Sequence, residues 1–451
     1  MRIEKGNRVQ FELFENSQNT IPPSIALEDI FQAYYECRKS KRRTVNALAF
    51  ELDFEKELIH LWRDINSNTY KVGRSIAFIV KEPVQREVFA ADFRDRVVHH
   101  LVIDKINHLF EREFITDSYS CRAGKGTLYG VKRIESHIKE CSQNYTQDCY
   151  VLKLDIQSFF MSLDKTILYQ LLEKFLQERY HQPDKPIILR LIRQIIFYQP
   201  ENKCVIKGKR SDWNGLPYYK SLFWSTQNCG LPIGNLTSQI FANFYLHQLD
   251  KFVTEILGIK YYGRYVDDFV LIHQDKQVLL EAHKRIKSYL KSNLKLNLHP
   301  HKFYLQHYSK GVRFIGAVIK LGRIYIGTRT KTNLYKKLRK EIPVMAQGVK
   351  ETLNGVEHFM SSINSYLGFM RHYNTYRLRN HILDKIDETY LREITERDEH
   401  AHKLSINKMF FPTEQKKRQL RRQRQYRRYQ NKTKKKFTDY YECFLPSERK
   451  E

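Results

Sequence analysis

Two adjacent acids, Asp267 and Asp268, are the strongest chemical signal in the sequence. They follow Tyr265-Val266 and lie between segments 259–264 and 269–272, which are rich in apolar and aromatic residues. This pattern predicts a β-hairpin with two carboxylates at its tight turn. Such neighbours raise each other's pKa unless a cation lies between them, and oxygen ligands suit Mg²⁺. An isolated Asp-Asp pair is more often an ordinary polar turn than a cation site. The flanking aromatic and apolar residues make the two interpretations nearly equal.

A third carboxylate, Asp155, interrupts the apolar run 149–160, which predicts a buried strand. Alone, it is more often an acid at a strand end or a cap for the next helix. Together with Asp267 and Asp268 it completes the set that two-metal phosphoryl transfer requires. In that chemistry two cations about 4 Å apart activate a 3′-hydroxyl and hold the leaving pyrophosphate.

A loop with two glycines and a proline, residues 230–239, precedes a predicted helix with an apolar face. Asn235, Thr237 and Ser238 are candidate caps for this helix. Glycines let a backbone approach a ligand closely, so the loop is a candidate floor for a templating base or an incoming nucleotide. An ordinary helix entry explains the loop as well and, for the loop alone, is favoured.

Several further elements must position these residues. Residues 1–80 predict helix and turn, and 84–114 predict a short extended segment followed by an amphipathic helix. Four prolines between 181 and 220 predict an insertion or a long connection. Within it, Tyr218, Tyr219 and Trp224 either stack on bases or pack the insertion.

The C-terminal third predicts strands and then helix. Segments 312–319 and 323–326 have strand patterns, and apolar residues recur at helical spacing between 361 and 380. Residues 415–436 hold twelve Lys or Arg and no acid. This tail is either an arm that binds nucleic acid through charge and aromatic stacking or a solvated segment whose composition is merely basic. The first interpretation is favoured.

Composition points to an anionic partner. The 451 residues include 78 Lys or Arg against 50 Asp or Glu, a formal net charge of +28. Nucleic acid is the commonest partner for such a surplus. No apolar run approaches the ~18 residues of a membrane span, and the first residues lack the pattern of a signal peptide. Seven scattered cysteines without a Cys-x-x-Cys pair fit a reducing cytoplasm. Transmembrane, secreted and zinc-finger classes are therefore disfavoured.

The motif order resembles that of bacterial, group II intron-related reverse transcriptases. The Asp155 strand, the glycine loop, the Tyr-Val-Asp-Asp hairpin, Lys302 and Phe314-Ile-Gly316 follow the family order between about 86 and 380. The resemblance implies an α+β right-hand polymerase with fingers, a palm built on an antiparallel sheet, a helical thumb and a basic C-terminal extension. It divides the chain into an N-terminal extension with the start of the fingers (1–80), fingers (81–148), a palm (149–325) with an insertion at about 181–225, a thumb (326–400) and a basic tail (401–451).

The resemblance also implies the metal ligands. Asp155, Asp267 and Asp268, with the carbonyl of Ile156, match the residues that bind two Mg²⁺ ions, for which Mn²⁺ can substitute. Phe160 matches the bulky gate that clashes with a ribose 2′-hydroxyl and so favours deoxynucleotides. Its alternative is an ordinary core aromatic.

Basic residues match the nucleotide contacts of the family. Arg86 and Lys81 align with residues that grip the triphosphate, where positive charge stabilises developing negative charge. Arg94 and Arg96 are alternatives, or serve only template phosphates and nearby acids. Lys302 matches a lysine of the next palm motif, with a solvated surface lysine as its alternative. Phe314-Ile-Gly316 resembles the primer-grip hairpin, and the 361–380 helix resembles the thumb.

A finer resemblance is to reverse transcriptases of diversity-generating retroelements. Most relatives have Gln-Gly-x-x-x-Ser-Pro in the loop, whereas this chain has Ile233-Gly234-Asn-Leu-Thr-Ser-Gln239. Segments 89–96 and 118–126 also resemble the fingers motifs of this group. Isoleucine cannot hydrogen-bond near the nucleotide sugar, and selection by shape alone spans only ~1–3 kcal/mol. We therefore expect weakened discrimination at Ile233, especially opposite template adenines.

The resemblance implies partners and a location. The partners are a template-repeat RNA, the cDNA/RNA duplex, deoxynucleoside triphosphates and an accessory variability protein, with no membrane. The location is the cytoplasm, for a protein that is bacterial or encoded by a phage. Two alternatives remain: a retron, intron or defence-type reverse transcriptase without mutagenic retrohoming, and a non-catalytic RNA-binding protein on a polymerase scaffold. The presence of all three acids disfavours the second.

Overall fold

A computed structural model of the chain describes residues 24–39, 44–81, 84–347, 353–387 and 395–406. The described residues mix helix and sheet, as the sequence predicts. No helix in these ranges is both long and apolar enough to cross a membrane. The basic arm predicted near the C-terminus lies outside the described residues.

The helices and strands follow in chain order. The helices are α1 (Leu27–Lys39), α2 (Val45–Glu51), α3 (Phe54–Asn66), α4 (Phe93–Glu113), α5 (Thr127–Cys141), α6 (Phe159–Ser162), α7 (Lys165–Arg179), α8 (Lys185–Phe197), α9 (Leu236–Lys251), α10 (Lys276–Asn293), α11 (Thr328–Gln347), α12 (Leu353–Met370) and α13 (Tyr376–Asp387). The strands are β1 (Ser75–Val80), β2 (Arg86–Ala90), β3 (Tyr150–Asp155), β4 (Cys204–Ile206), β5 (Tyr261–Tyr265), β6 (Asp268–His273), β7 (Tyr304–His307), β8 (Val312–Phe314), β9 (Ala317–Lys320), β10 (Arg323–Ile326), β11 (Thr395–Arg397) and β12 (Leu404–Ile406).

An antiparallel sheet in the order β5-β6-β3-β7 lies at the centre of the described chain. Its inner strands are apolar at nearly every position because both faces are covered. Leu152 and Leu154 of β3 belong to the core that contains α4, α7, α8, α9 and α10. Val151, the residue before Leu152, belongs to a second core with α5, β8–β10 and α12. Alternate side chains therefore enter two different cores. The strand ends at Asp155, five residues before the end of the predicted run.

A second sheet has the order β2-β1-β4. Strand β1 lies in the region predicted as helix and turn, and it pairs antiparallel with β2. The short strand β4 pairs parallel with β1, from Ser75–Cys204 to Ala77–Ile206. The segment predicted as a palm insertion at about 181–225 thus contributes its strand to the sheet of β1 and β2. The paired residues lie far apart in the sequence, so no local sequence pattern predicts the pairing.

The helix predicted over 361–380 is two helices. Helix α12 ends at Met370 and α13 begins at Tyr376. The Thr375 hydroxyl donates to the Met370 carbonyl, and Asn374 exchanges two hydrogen bonds with Ile324 of β10. These bonds replace the backbone hydrogen bonds of a continuing helix. Tyr373, although it keeps the helical spacing of the apolar residues before it, therefore lies outside both helices.

Packed structure continues past the predicted start of the basic tail at residue 401. Strands β11 and β12 pair antiparallel, from Thr395–Ile406 to Arg397–Leu404. Ala401 and Leu404 are buried in the second core. The ordered C-terminal unit therefore extends at least to Ile406.

Candidate active site

The three acids meet at one edge of the central sheet. Asp155, the last residue of β3, lies directly opposite Asp268, the first residue of β6. Asp267 precedes it in the turn of the β5–β6 hairpin, and its carbonyl accepts a hydrogen bond from Ile156 N at 3.3 Å. The hairpin and the upstream strand are as the sequence predicts. Their register places carboxylates from distant parts of the chain side by side.

The charges of these acids oppose one another. Burial, together with the charges of Asp155 and Asp268, raises the pKa of Asp267 to about 6. Burial likewise raises the pKa of Asp268; Lys153 opposes this effect and Asp155 adds to it. Close carboxylates in a low-dielectric site favour either protonation or a bound cation. The trio therefore has the electrostatic character of a cation site.

Two lysines partly compensate this charge. The Nζ of Lys302 lies 2.8 Å from both carboxylate oxygens of Asp155. The Nζ of Lys153, two residues before Asp155 on the same strand face, lies 3.2 Å from Asp268 Oδ1. Lys153 carried no motif signal, and only the alternation along β3 identifies it. Lys302 therefore contacts one of the three acids directly, with a side chain that is 54% exposed.

Two of the three acids open onto a cavity of about 780 Å³. Asp155 and Asp268 line it, together with β7 and the β8–β9 hairpin. Its basic lining residues are Lys153, Lys302, Lys310, Arg313 and Lys320. A strongly basic wall beside an acidic corner suits a polyanion whose reactive end reaches the acids.

The donor set fits a hard divalent cation, although no cage is preformed. In the described ranges, no three His, Cys, Asp or Glu side chains already form a metal-binding cluster. Instead, the lysine ammonium groups engage Asp155 and Asp268. All candidate donors are oxygens, and burial together with the neighbouring carboxylates raises the pKa of Asp267. Oxygen-only donors with excess negative charge are what Mg²⁺ prefers.

A buried ion pair supports the turn that carries Asp267 and Asp268. Arg264 and Asp250 both have fully buried side chains, and two 2.6 Å hydrogen bonds join them. The Tyr262 hydroxyl donates to the same carboxylate, and Arg264 Nη1 donates to Asn243 Oδ1. Buried charges persist when they are paired and hydrogen-bonded. Sequence reasoning missed this network, although a charged residue inside each of two apolar elements was a visible signal.

The network reaches the turn itself. Arg264 Nη1 donates to the Val266 carbonyl at 3.0 Å, and Val266 N donates to Ser120 Oγ at 3.2 Å. Val266 has a φ of 55°, a left-handed conformation that is costly for a β-branched residue. Such strain persists only when the surroundings fix it. The buried pair and Ser120 therefore hold the backbone that carries Asp267 and Asp268.

Two of the predicted nucleotide-contacting residues share a small core. Phe160 and Ile233 both pack against a cluster formed by Ala77, Phe89, Met161 and Leu222. The Ile233 carbonyl accepts a hydrogen bond from Phe89 N at 2.9 Å. Ile233, which immediately precedes Gly234, and Phe160 therefore pack against the same apolar cluster.

Gly234 has a structural requirement for glycine. Its φ is +121°, and an added Cβ would come 2.7 Å from Cγ1 of Val88 on β2. Asn235 occupies the cap position of α9, but its side chain accepts from Ala91 N rather than from the helix. The loop is thereby attached on one side of Gly234 to Phe89 of β2 and on the other side to Ala91, the residue after β2.

The remaining predicted residues occupy different surroundings. Arg86 is exposed at the start of β2, and its charge acts on Tyr265, whose pKa burial raises. Lys81 pairs with Asp212 at 2.9 Å and does not contact the acids. Gln239 accepts a hydrogen bond from the Cys121 thiol at 3.4 Å.

The alternative arginines have structural partners. Arg94 pairs with Asp64, and Arg96 donates to the Ala91 carbonyl at 2.8 Å. The Phe314-Ile-Gly316 hairpin joins β8 to β9, with Ile315 and Gly316 at positive φ in its turn.

Comparison with known proteins assigns the part of the chain that contains the three acids to one family. Residues 85–319 match the sequence model of the family described as reverse transcriptase (RNA-dependent DNA polymerase). Protein YkfC of Escherichia coli (strain K12) is 23% identical over 255 residues. The match covers 49% of this chain and 60% of that protein. The chain therefore spans less than two thirds of the length of this relative.

Solved structures give weaker likenesses. Apo telomerase from Candida tropicalis has a TM-score of 0.44 at 13% identity, over 71% of this chain and 60% of that one. Telomerase from Candida albicans, in complex with a fragment of telomeric RNA, has a TM-score of 0.41 at 12% identity, over 71% and 61%. Neither score is high enough to inform the site.

Proposed function

The chain belongs to the reverse transcriptase (RNA-dependent DNA polymerase) family, and on this premise we propose that it is an RNA-directed DNA polymerase. The observation that carries the proposal is the pairing of Asp155 with Asp268, beside Asp267, at the edge of a basic cavity. In this proposal the central sheet is the palm, the β1–β2–β4 sheet belongs to the fingers, and α11–α13 form the thumb.

Asp155, Asp267 and Asp268, with the Ile156 carbonyl, would hold two Mg²⁺ ions. When bound, these ions supply activation of the primer hydroxyl and neutralisation of the leaving pyrophosphate. The chain itself fixes the carboxylates through the β3–β6 register and through the Arg264 bond to the Val266 carbonyl. Such fixed geometry supplies the positioning on which phosphoryl transfer depends.

Positive groups would neutralise the substrates. Lys302 and Lys153 lie within bonding distance of Asp155 and Asp268, next to where phosphates must arrive. Arg86, whose charge acts on Tyr265 of the catalytic hairpin, is the better placed of the two candidate triphosphate contacts. Lys81 would first have to leave Asp212.

Phe160 and Ile233 would select the nucleotide by shape. Both lie against the same apolar cluster, so a sugar bound there would meet hydrocarbon rather than hydrogen-bonding groups. A rigid aromatic ring rejects a 2′-hydroxyl sterically. An isoleucine offers no bond by which to test the geometry of a base pair.

The finer proposal is a reverse transcriptase of a diversity-generating retroelement. It rests on the Ile233-to-Gln239 loop, which carries isoleucine and glutamine where most relatives carry glutamine and proline. The enzyme would copy a template-repeat RNA into cDNA with errors opposite adenine, together with an accessory variability protein. A retron, intron or defence-type enzyme is the alternative, and it predicts no excess of errors at adenines.

Primer extension on an RNA template tests the activity. We expect Asp267→Asn to reduce single-nucleotide addition at least about a hundredfold, because a charge-stabilising group is lost at the reacting centre. Asp384→Asn, the same change in an exposed pair with Arg397, is the matched control and should extend normally. Equal extension by the Asp267 variant would refute the proposal. Sequencing of the cDNA products then separates the two subtypes by their errors at adenines.

A further inference from the structure

Three aromatic side chains stand exposed on one short segment near the β1–β2–β4 sheet. Tyr218 is 71% exposed, Tyr219 is 42% exposed and Trp224 is 72% exposed. The rings of Tyr218 and Tyr219 are in edge contact, with centroids 5.5 Å apart. We call these three residues the aromatic platform. Large rings in solvent at this density mark a binding surface rather than packing.

The chain segment that carries the aromatic platform, residues 201–224, is basic. Its exposed cations are Lys203, Lys207, Lys209, Arg210 and Lys220. Its two acids are Glu201 and Asp212, and the carboxylate of Asp212 bonds to Lys81 and to the backbone of Lys209. The ammonium group of Lys220 lies 5.8 Å from the centre of the Tyr219 ring. A segment that combines exposed cations with exposed rings suits a polyanion that carries flat bases.

A buried carboxylate holds the segment in place. Glu87 of β2 is 1% exposed and accepts hydrogen bonds from three groups of the segment. These are Trp213 Nε1 at 2.6 Å, Ser221 Oγ at 2.7 Å and Leu222 N at 2.6 Å. The bonds lie on both sides of the Tyr218–Tyr219 pair in sequence, and Trp224 follows two residues after the last of them. A rigid backing lowers the entropy lost when a flexible strand binds.

The inner side of the segment meets the proposed nucleotide pocket. Leu222 is buried in the cluster with Phe89, and Trp213 and Phe223 pack against it. Phe160 and Ile233 pack against the same cluster. The segment that carries the aromatic platform therefore shares one small core with the proposed nucleotide-selecting residues. The β8–β9 hairpin and α12 belong to a different core.

We propose that the aromatic platform stacks unpaired bases of the RNA template before they are copied. The inference rests on the proposed function, because it assigns the strand that must pass beside an incoming nucleotide. Duplex product would lie toward the hairpin and thumb, whereas the platform is joined to the fingers strands. Its partner is single-stranded RNA, recognised by ring stacking and phosphate charge without regard to sequence.

The test compares two primer–template duplexes. One carries an unpaired RNA extension of about ten nucleotides at the template 5′ end, and the other is blunt. Each ring removed, as in Trp224→Ala or Tyr218→Ala, should weaken binding of the extended duplex about tenfold. Binding of the blunt duplex should be unchanged. Tyr35→Ala removes a 50%-exposed tyrosine of α1 and is the matched control.

Photocrosslinking supplies a readout that does not depend on a variant. Thiouridine placed in the extension should attach to the peptide that contains residues 218–224. If the platform variants bound the extended duplex as tightly as the unsubstituted protein does, and the crosslinks lay elsewhere, the proposal would be overturned. The rings would then be a surface for contact with another protein. Affinity is measured without catalysis, so a chain that bound the extension but added no nucleotide would overturn only the polymerase function.

Discussion

Replacing Asp250 by asparagine should strongly lower the free energy of unfolding, although Asp250 is not one of the three clustered acids. The substitution preserves shape and removes one negative charge. Arg264, whose side chain is fully buried, then loses the carboxylate that it contacts through two 2.6 Å bonds. Its guanidinium stays charged, so the variant contains an uncompensated buried cation.

The magnitude follows from that burial. Removing one partner of a fully buried ion pair costs about 3–5 kcal/mol. The asparagine oxygen still accepts one hydrogen bond, so we expect the lower end, about 3 kcal/mol. The same change in the exposed Arg397–Asp384 pair, with side chains 43% and 54% exposed, should cost at most about 1 kcal/mol.

Urea unfolding of Asp250→Asn and Asp384→Asn gives both values under one set of conditions. At temperatures where the Asp250 variant stays folded, its kcat should fall with little change in the KM for nucleotide, because the Arg264 bond to the Val266 carbonyl is disturbed. Equal unfolding free energies for the two variants would refute the argument that the pair is buried and supports the turn.

Three further predictions concern the loop and a buried acid. Gly234→Ala should cost about 1–3 kcal/mol in unfolding free energy, since its φ is +121° and the new Cβ would lie 2.7 Å from Val88; unaltered stability would contradict this. Ile233→Gln should lower misincorporation opposite adenine in sequenced cDNA, and an unchanged error rate would reject the shape-only account. Burial and Asp92 raise the pKa of Asp95 to about 7 from its usual value near 4. The folded state therefore keeps this proton to a higher pH than the unfolded state does. As pH rises from about 4 to about 7, the unfolding free energy of the wild type should fall relative to that of Asp95→Asn. Parallel curves of unfolding free energy against pH for the two proteins would contradict this.

Local patterns were sufficient for the elements that carry the acids. The alternation around Tyr265 and the apolar run before Asp155 predict strands, because strand and turn preferences depend on near neighbours. The register that sets Asp155 opposite Asp268 depends on residues more than a hundred positions apart. The needs of two-metal chemistry and the family resemblance, rather than a local pattern, predicted that they meet.

Other features required tertiary information. Strand β4 has three residues and pairs with β1 from far along the chain, so the proline-rich segment gave no sign of its sheet. Arg264 and Asp250 lie in different elements, and burial alone distinguishes their pair from a surface contact. The end of α12 at Met370 depends on hydrogen bonds to β10, which override a helical spacing that continues to Tyr373.

Iron-directed cleavage tests most directly whether the three carboxylates share divalent cations. Fe²⁺ can occupy an oxygen-lined Mg²⁺ site, and with ascorbate and peroxide it cuts the backbone nearby. We expect cuts close to Asp155 and to the 266–268 turn, suppressed by Mg²⁺ and lost in Asp155→Asn and Asp268→Asn. Cuts at other positions, or cuts at these positions that persist in both variants, would contradict the account.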